Sequence, residues 1–194
     1  MLRRILPLAS GRMPPAPLPP RAPRQPPNEL DPEQIDDALL ETDGLIDVVL
    51  DHANLANLRA RRAFLQRVEL KGCRMTGIQL AESTLRDVLV ENCRVDLAAF
   101  RATTFERVRF RGCQLQELDV AEAVFSAVVF EECDLSRADF SHARFRLSEM
   151  RGCRLDGVIA AERLAGVGMP WPDVVGIAGE LAAAIGIRVL GEGE

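Results

Sequence analysis

Apolar residues recur every five positions through the middle of the chain. All 22 residues whose numbers are multiples of five from Leu50 to Leu155 are apolar, and they include seven of the eight phenylalanines. At 47% apolar content, such a run has a chance on the order of 10⁻⁷ in one register. A period of five fits neither the 3.6-residue period of a helix nor the two-residue period of a strand. A short inward-facing strand followed by a turn does give five, so the pattern predicts a chain that bends after every five residues.

The residue two places before each of these apolar positions is never charged or aromatic, and it holds all five cysteines. The cysteines recur every 20 residues, at Cys73, Cys93, Cys113, Cys133 and Cys153. Twenty residues are four units, so the spacing predicts coils with four sides and the cysteines stacked along one side. Coils that stack like parallel strands lie about 4.8 Å apart, which gives a rod about 26 Å tall.

These motifs resemble those of the pentapeptide-repeat proteins, whose units consist of a small residue, Asp or Asn, Leu or Phe, a polar residue and a variable one. The stretch 133–145, with the sequence CDLSRADFSHARF, follows that pattern, as does Ala53-Asn54-Leu55. The resemblance covers about residues 45–160. It implies an all-β fold, a right-handed quadrilateral parallel β-helix of pentapeptide repeats with short N-terminal and C-terminal capping helices.

The flanking sequence divides into three further segments. Residues 1–28 hold nine of the twelve prolines, five arginines and no acid, which predicts a disordered, partly polyproline II tail. Residues 29–44 carry seven acids and no base, and Asp31-Pro32-Glu33 is typical of a helix start, so we expect an acidic N-terminal capping helix. The β-helix is expected over 45–165, and a C-terminal capping helix and tail over 166–194.

The C-terminal helix is expected to begin at Asp173 as its N-cap and to place Val174, Ile177, Leu181 and Ile185 on one face. One apolar face closes the last coil of a β-helix, which would otherwise expose its core. Apolar surface that remains can join two chains. Leu181 and Ile185 are therefore candidate contacts of a homodimer.

Composition and charge exclude several classes of protein. The net charge is −5 and no apolar run approaches 18 residues, which predicts a protein that neither spans a membrane nor binds nucleic acid directly. The two histidines, His52 and His142, lie almost five coils apart, and no glycine-rich phosphate loop is present. We therefore expect no catalytic residues, no metal and no cofactor.

The cysteine ladder has two interpretations. Stacked thiols point in parallel, whereas a metal site needs ligands that converge from several directions, and a disulfide needs another geometry. The first interpretation is that the thiols are small packing residues; a metal site or a disulfide is the alternative. Reduced thiols suit a cytoplasmic protein.

Four apolar residues occupy outward positions that are otherwise polar. Phe64, Leu89, Val124 and Val129 fall on two neighbouring sides of the expected rod, and one of these sides also carries more arginines than acids. They are either singly exposed apolar residues, which are common, or parts of a contact patch for a protein partner.

Two functions follow. The first is a rigid, non-enzymatic rod that presents its flat faces to a protein partner. The alternative comes from the resemblance, since some pentapeptide-repeat proteins bind DNA gyrase and protect it from quinolones as acidic mimics of duplex DNA. The coils here are neutral overall and no insertion interrupts the five-residue period, two departures that favour the first function.

Overall fold

Each five-residue unit forms one side of a coil, and four units complete the coil. In the computed structural model, which describes residues 16–25, 27–28 and 30–188, residues twenty apart pair in parallel, from Leu45 with Leu65 to Phe125 with Phe145. The apolar residues at their centres define four sides. Side A is centred on Leu45, Leu65, Leu85, Phe105, Phe125 and Phe145; side B on Leu50, Leu70, Val90, Phe110, Phe130 and Met150; side C on Leu55, Met75, Val95, Leu115, Leu135 and Leu155; side D on Ala60, Leu80, Phe100, Val120 and Phe140.

The strands are longest on sides A and B, where a single strand continues around the corner in the first coils. The strands are β1 Leu45–Asp51, β2 Arg59–Arg61, β3 Phe64–Lys71, β4 Gln79–Ala81, β5 Thr84–Glu91, β6 Thr104–Arg111, β7 Val124–Ser126, β8 Val129–Glu131, β9 Arg144–Arg146 and β10 Glu149–Arg151. On side A the order is β1-β3-β5-β6-β7-β9, and β6, β8 and β10 pair on side B. Strands β2 and β4 pair on side D, and single parallel bridges connect the coils of side C and the later coils of side D. The predicted parallel β-helix is confirmed.

Every corner of the coil has a left-handed backbone. The residue two places after each central residue, from Asp47 to Gly157, has φ between 51° and 69°. Only five of these 23 corner residues are glycine, and none is β-branched. Left-handed backbone disfavours side chains branched at Cβ, so the turns restrict the residue types that the corners accept.

The interior is closed and apolar, as the period of five predicts. Of the 22 central residues from Leu50 to Leu155, all are buried except Phe145, which is half-buried. Phe105, Phe125 and Phe145 stack with ring centroids 4.8 and 4.5 Å apart. Because Phe145 ends that stack, its outer face lacks the coil that would otherwise cover it.

The N-terminal end is closed by two short helical pieces rather than one helix. A 3₁₀ turn covers Pro32–Gln34 with Asp31 as its cap, and helix α1 covers Asp37–Thr42 with Asp36 as its cap. Ile35 between them has extended backbone, which ends the first piece. Ile35 and Leu40 are buried in the core and cover the first coil.

The C-terminal end also differs from the predicted single helix. A 3₁₀ turn covers Ala161–Leu164, followed by α2 Trp171–Gly176 and α3 Ala178–Ala184, which meet at Ile177. Asp173 lies inside α2 and not at its N-cap, because the helix already begins after Pro170, with Pro172 in its first turn. The Asp173 carboxylate instead accepts a hydrogen bond from the Gly152 N–H at 2.6 Å. Ile177 and Leu164 join the core and cover the last coil.

Residues 16–25, 27 and 28, which we call the strap, lie along the rod in the described structure, where the sequence predicts a disordered tail. Asn28 pairs with Val48 at the first coil, and Pro17 lies beside Leu147 in the sixth. The predicted disorder of residues 1–15, and the expected tail at residues 189–194, lie outside the described residues.

Candidate functional site

The outer surface of the rod is a lattice of side chains in which each residue faces those twenty positions away. Oppositely charged side chains in successive coils form ion pairs: the nitrogen–oxygen distance is 2.6 Å between Arg137 and Glu117 and 2.7 Å between Arg86 and Glu106. Within the described residues, every acid of segment 45–160 except Asp51, Glu132 and Asp139 lies within 4.0 Å of an arginine or lysine nitrogen. Exposed pairs add little stability each, but their alternation leaves little free negative charge on the rod.

The corner between sides A and B holds two buried carboxylates. Its residues in successive coils are Asp47, Arg67, Asp87, Arg107, Ala127 and Leu147. Arg67 donates to both oxygens of Asp47, from Nε at 2.5 Å and Nη2 at 2.7 Å. Arg107 donates to both oxygens of Asp87 in the same way, at 2.7 and 3.0 Å. Bidentate pairs of this kind fix the carboxylates in one orientation.

The strap supplies the remaining donors to these carboxylates. The backbone N–H of Arg24 donates to Asp47 Oδ1 at 2.9 Å, and the N–H of Arg21 donates to Asp87 Oδ1 at 3.2 Å. Pro23 between them is buried, and Asp87 is 2% exposed. The corner is therefore a site for an extended chain segment, which the sequence analysis did not identify.

The surroundings keep both carboxylates ionised. The hydrogen bonds from Arg67, with a contribution from the Arg24 N–H, lower the pKa of Asp47 to about 2, although partial desolvation acts in the opposite direction. Burial alone would raise the pKa of Asp87, but the hydrogen bonds from Arg107 and from the Arg21 N–H outweigh it and lower that pKa. Ionised carboxylates make stronger hydrogen bonds than neutral acceptors, so they hold the N–H groups more tightly.

The four apolar residues expected to contact a partner do not form an exposed patch. Val129 is only 3% exposed, Phe64 and Leu89 are half-buried, and Val124 alone is exposed, at 38%. Val129 lies two residues after Ala127, on the corner along which the strap runs between Asp87 and Leu147.

Side D carries a shallow polar depression of about 490 Å³ next to α1. Its charged walls are formed by Glu41, Arg59, Arg61, Glu82, Arg101 and Glu122. Glu41 and Asp37 of α1 accept hydrogen bonds from the N–H groups of Arg61 and Arg59 at the edge of β2. The depression therefore spans four coils and presents both charge signs.

The C-terminal helices leave apolar side chains uncovered within the described part of the chain. Trp171 is 75% exposed and Ile185 is 71% exposed, and Val175 and Ile187 are exposed as well. Of the two residues expected to make a dimer contact, Ile185 is available, whereas Leu181 is partly buried against the core.

The cysteine ladder lies inside side C. Cys73, Cys93, Cys113 and Cys133 are buried, Cys153 in the last coil is half-buried, and all five are free thiols. Each thiol lies close enough to donate to a backbone carbonyl, as Cys113 does to Val90 O at 3.4 Å. Hydrogen bonding with the next thiol, together with burial, raises the pKa of Cys73, and that of Cys93 to about 12. These thiols act as small packing residues in the described structure.

Within residues 16–25, 27–28 and 30–188, no group of three His, Cys, Asp or Glu side chains is placed to hold a metal ion. Among the helices described, none has the length and apolar content needed to cross a membrane. His52 pairs with Asp51 at 2.8 Å on an exposed corner near the first coil, far from His142.

Several solved structures are similar to this chain. A pentapeptide-repeat protein from the thylakoid lumen of Arabidopsis thaliana is 16% identical, with a TM-score of 0.48 over 51% of this chain and 69% of that one. HetL, involved in heterocyst differentiation in Nostoc, is 22% identical, with a TM-score of 0.40 over 63% and 62% of the two chains. QnrB1, a plasmid-mediated fluoroquinolone resistance protein, is 18% identical, with a TM-score of 0.30 over 76% and 97%. No curated protein matches the chain.

The family is established by the repeats themselves. The family model described as the pentapeptide repeat region matches residues 44–120 and 90–159, and together these overlapping matches span more than half of the chain. The matched segment begins beside β1 and ends with the last bridge of side D, so it coincides with the stacked coils. The chain therefore belongs to the pentapeptide-repeat family.

Proposed function

We propose that the protein is a non-enzymatic binding rod and that side D is the face that contacts its protein partner. The observation that carries the proposal is the polar depression of about 490 Å³ on that side. Its charges alternate over four coils, and the backbone fixes their spacing, since each residue lies about 4.8 Å from its counterpart in the next coil. A fixed pattern of alternating charges favours a partner with the complementary pattern.

The test compares side D with side C in the full chain. Replacing Arg59 and Arg101 by Glu reverses two charges of the depression, and replacing Arg74 and Arg154 by Glu reverses two exposed charges on side C. Immobilised parent and variants are incubated with lysate of the source organism, and retained proteins are quantified by mass spectrometry. We expect a saturable partner that the parent and the side C variant retain and that the side D variant loses. Equal retention by the two variants would contradict the assignment to side D.

Modulation of DNA gyrase is the second candidate, and it requires an acidic face that resembles duplex DNA. The acids that lack an arginine or lysine neighbour in the described rod are few, and two of them are exposed: Asp51 on side B and Glu132 at the corner that follows side B. If the parent protein inhibits or protects gyrase supercoiling stoichiometrically, charge reversal at Asp51 and Glu132 should reduce that effect. If the parent protein in molar excess has no effect on supercoiling, modulation of gyrase is excluded.

We further propose that two copies associate through their C-terminal helices. Trp171, Val175, Ile185 and Ile187 are large apolar side chains exposed on the same short cap. Association of two identical apolar surfaces about a two-fold axis would remove them from water. This would also lengthen the rod, because the cap lies at its end.

A further inference from the structure

The strap and the corner beneath it share one repeat distance. A polyproline II helix has three residues per turn and rises about 3.1 Å per residue, so groups three residues apart face the same way at a separation of about 9.3 Å. Arg21 and Arg24 are three residues apart. Asp87 and Asp47 are two coils apart, about 9.6 Å at the spacing of parallel strands. One turn of a polyproline II helix therefore matches two coils of the rod, and the N–H groups of Arg21 and Arg24 each reach a carboxylate.

The composition of the strap suits this geometry. Proline fixes φ near the polyproline II value and biases the preceding residue toward extended backbone. Prolines occupy positions 17, 19, 20 and 23, whereas the two positions that donate to the corner are arginines and keep their N–H groups. Leu18, three residues before Arg21, would face Ala127, which has no carboxylate. Hydrogen bonds between strap N–H groups and carboxylates of this corner are therefore restricted to the two aspartates.

The contacts that hold the strap are few. Its hydrogen bonds to the two carboxylates come from the two N–H groups, with a loose ion pair of 3.9 Å from Arg24 Nε to Asp47 Oδ2 and a hydrogen bond of 2.7 Å from the Asn28 N–H to the Asp47 carbonyl. The side chain of Leu18 is 69% exposed. A segment joined to the rod at Asn28 benefits from a high effective concentration, so weak contacts suffice to keep it in place. A second segment of the same geometry could use the same acceptors once the strap leaves.

We propose that the corner formed by Asp47 and Asp87 is a binding track for proline-rich segments in polyproline II conformation, and that the strap is a ligand held in cis which a proline-rich segment of a partner protein replaces. The ligand needs an N–H at two positions three residues apart and proline between or beside them. The proposal is independent of the partner assigned to side D, since it uses another face of the rod.

The first experiment releases the strap in the full chain. Replacing Arg21 and Arg24 by proline keeps the extended conformation and removes both N–H donors, whereas replacing them by alanine removes the side chains and keeps the donors. A Val129→Cys substitution serves as the reporter of release, because Val129 is buried and lies two residues after Ala127 on the corner along which the strap runs; Val124→Cys on side A is the exposed control. Maleimide labelling is followed by peptide mapping, which separates the introduced thiol from the native ones. We expect labelling at position 129 to be at least tenfold faster in the proline variant than in the alanine variant, and equal rates would overturn the proposal.

The second experiment supplies the ligand in trans. A synthetic peptide of residues 16–28 is titrated onto the proline variant, and binding is measured by calorimetry and by protection of the introduced thiol. We expect saturable binding of one peptide per chain, equal binding of a peptide with alanine at 21 and 24, and at least tenfold weaker binding of a peptide with proline there. Failure of the natural peptide to bind, or equal binding of the proline peptide, would overturn the proposal.

A parent dimer that the peptide dissociates would overturn the choice of partner in favour of a second copy. Charge reversal on side D should leave all of these results unchanged, so the two proposals fail separately.

Discussion

At the scale of single residues, the corners of the coils impose a restriction that the apolar pattern does not show. The period of five located the corners, but it did not indicate that each has φ near +60°. The available signal was the absence of valine, isoleucine and threonine from all 23 corner positions, since left-handed backbone costs an L-residue about 1–2 kcal/mol and crowds a branched Cβ most. Residue types that are missing at one position of the repeat were as informative as those present.

A valine placed at a corner should therefore destabilise the rod. Ala102 lies at an exposed corner with φ 54°, whereas Ala99 lies at an outward position of the same side, in a single parallel bridge with Gln79. We expect Ala102→Val to lower the free energy of unfolding by about 1–2 kcal/mol, and Ala99→Val to change it by less than about 0.5 kcal/mol. Urea unfolding followed by circular dichroism measures both. Equal effects of the two substitutions would contradict the strain argument.

The stability lost when a stacked phenylalanine is truncated should depend on its position along the rod. Phe105 is enclosed by Phe125 on side A and by the rings of Phe100 and Phe110, whereas Phe145 ends the stack and is half-buried. We expect Phe105→Ala to lower the free energy of unfolding by about 3–5 kcal/mol. Phe145→Ala, the matched control, should cost roughly half as much because less of its surface leaves water on folding. A larger loss at Phe145 would show that the last coil packs more tightly than its exposure indicates.

At the scale of elements, the sequence predicted which segments cap the rod but not where their helices break. The acidic segment and the apolar C-terminal segment both cover an end of the core, as expected. The breaks at Ile35 and Ile177 depend on how each segment must bend to place its apolar side chains over a square coil, and a helical pattern in sequence contains no information on that bend.

The strap was missed for a related reason. Its contacts join its own backbone N–H groups to carboxylates in distant coils. Almost every residue type has a backbone N–H, so the sequence does not show which of these groups donate. The high proline content predicted polyproline II, yet the surface that receives the strap becomes visible only when Asp47 and Asp87 are stacked two coils apart. Val129, one of the four outward residues expected to touch a partner, is buried beside the same corner.

Acid should weaken the anchor at Asp47. Its pKa is lowered to about 2 in the folded protein, below the value of about 3.9 of an unperturbed aspartate. The stabilisation is thus complete above about pH 4 and is lost as the pH falls toward 2. We expect the Arg24 amide signal in ¹H–¹⁵N NMR spectra to shift with a midpoint well below pH 4, and Asp47→Asn to abolish that transition. A midpoint near 4 would show that Asp47 carries no such hydrogen bonds in solution.

At the scale of the whole molecule, the repeat pattern predicted the rod well because each coil contacts only its neighbours. A residue and its partners lie at multiples of twenty in sequence, so the interior, the stacked cysteines and the coil-to-coil ion pairs follow from one period. The surfaces that break this period, namely the strap, the caps and the depression beside α1, are the ones that distinguish the faces of the rod from one another. The candidate binding sites lie on those surfaces, which explains why sequence located the scaffold more completely than the sites.

Self-association through the cap can be followed with the chain's single tryptophan. Trp171 is 75% exposed at the cap, so its emission should shift to shorter wavelength as concentration rises and the cap leaves water. Val175→Ser combined with Ile185→Ser removes exposed apolar surface from the same cap and should abolish both the shift and the dimer in sedimentation equilibrium. Leu18→Ser, which removes an equally exposed apolar side chain from the strap, is the control and should leave the dimer intact. A dimer that persists in the cap variant and dissociates in the Leu18→Ser protein would place the interface along the strap, and the two rods would then lie side by side rather than end to end.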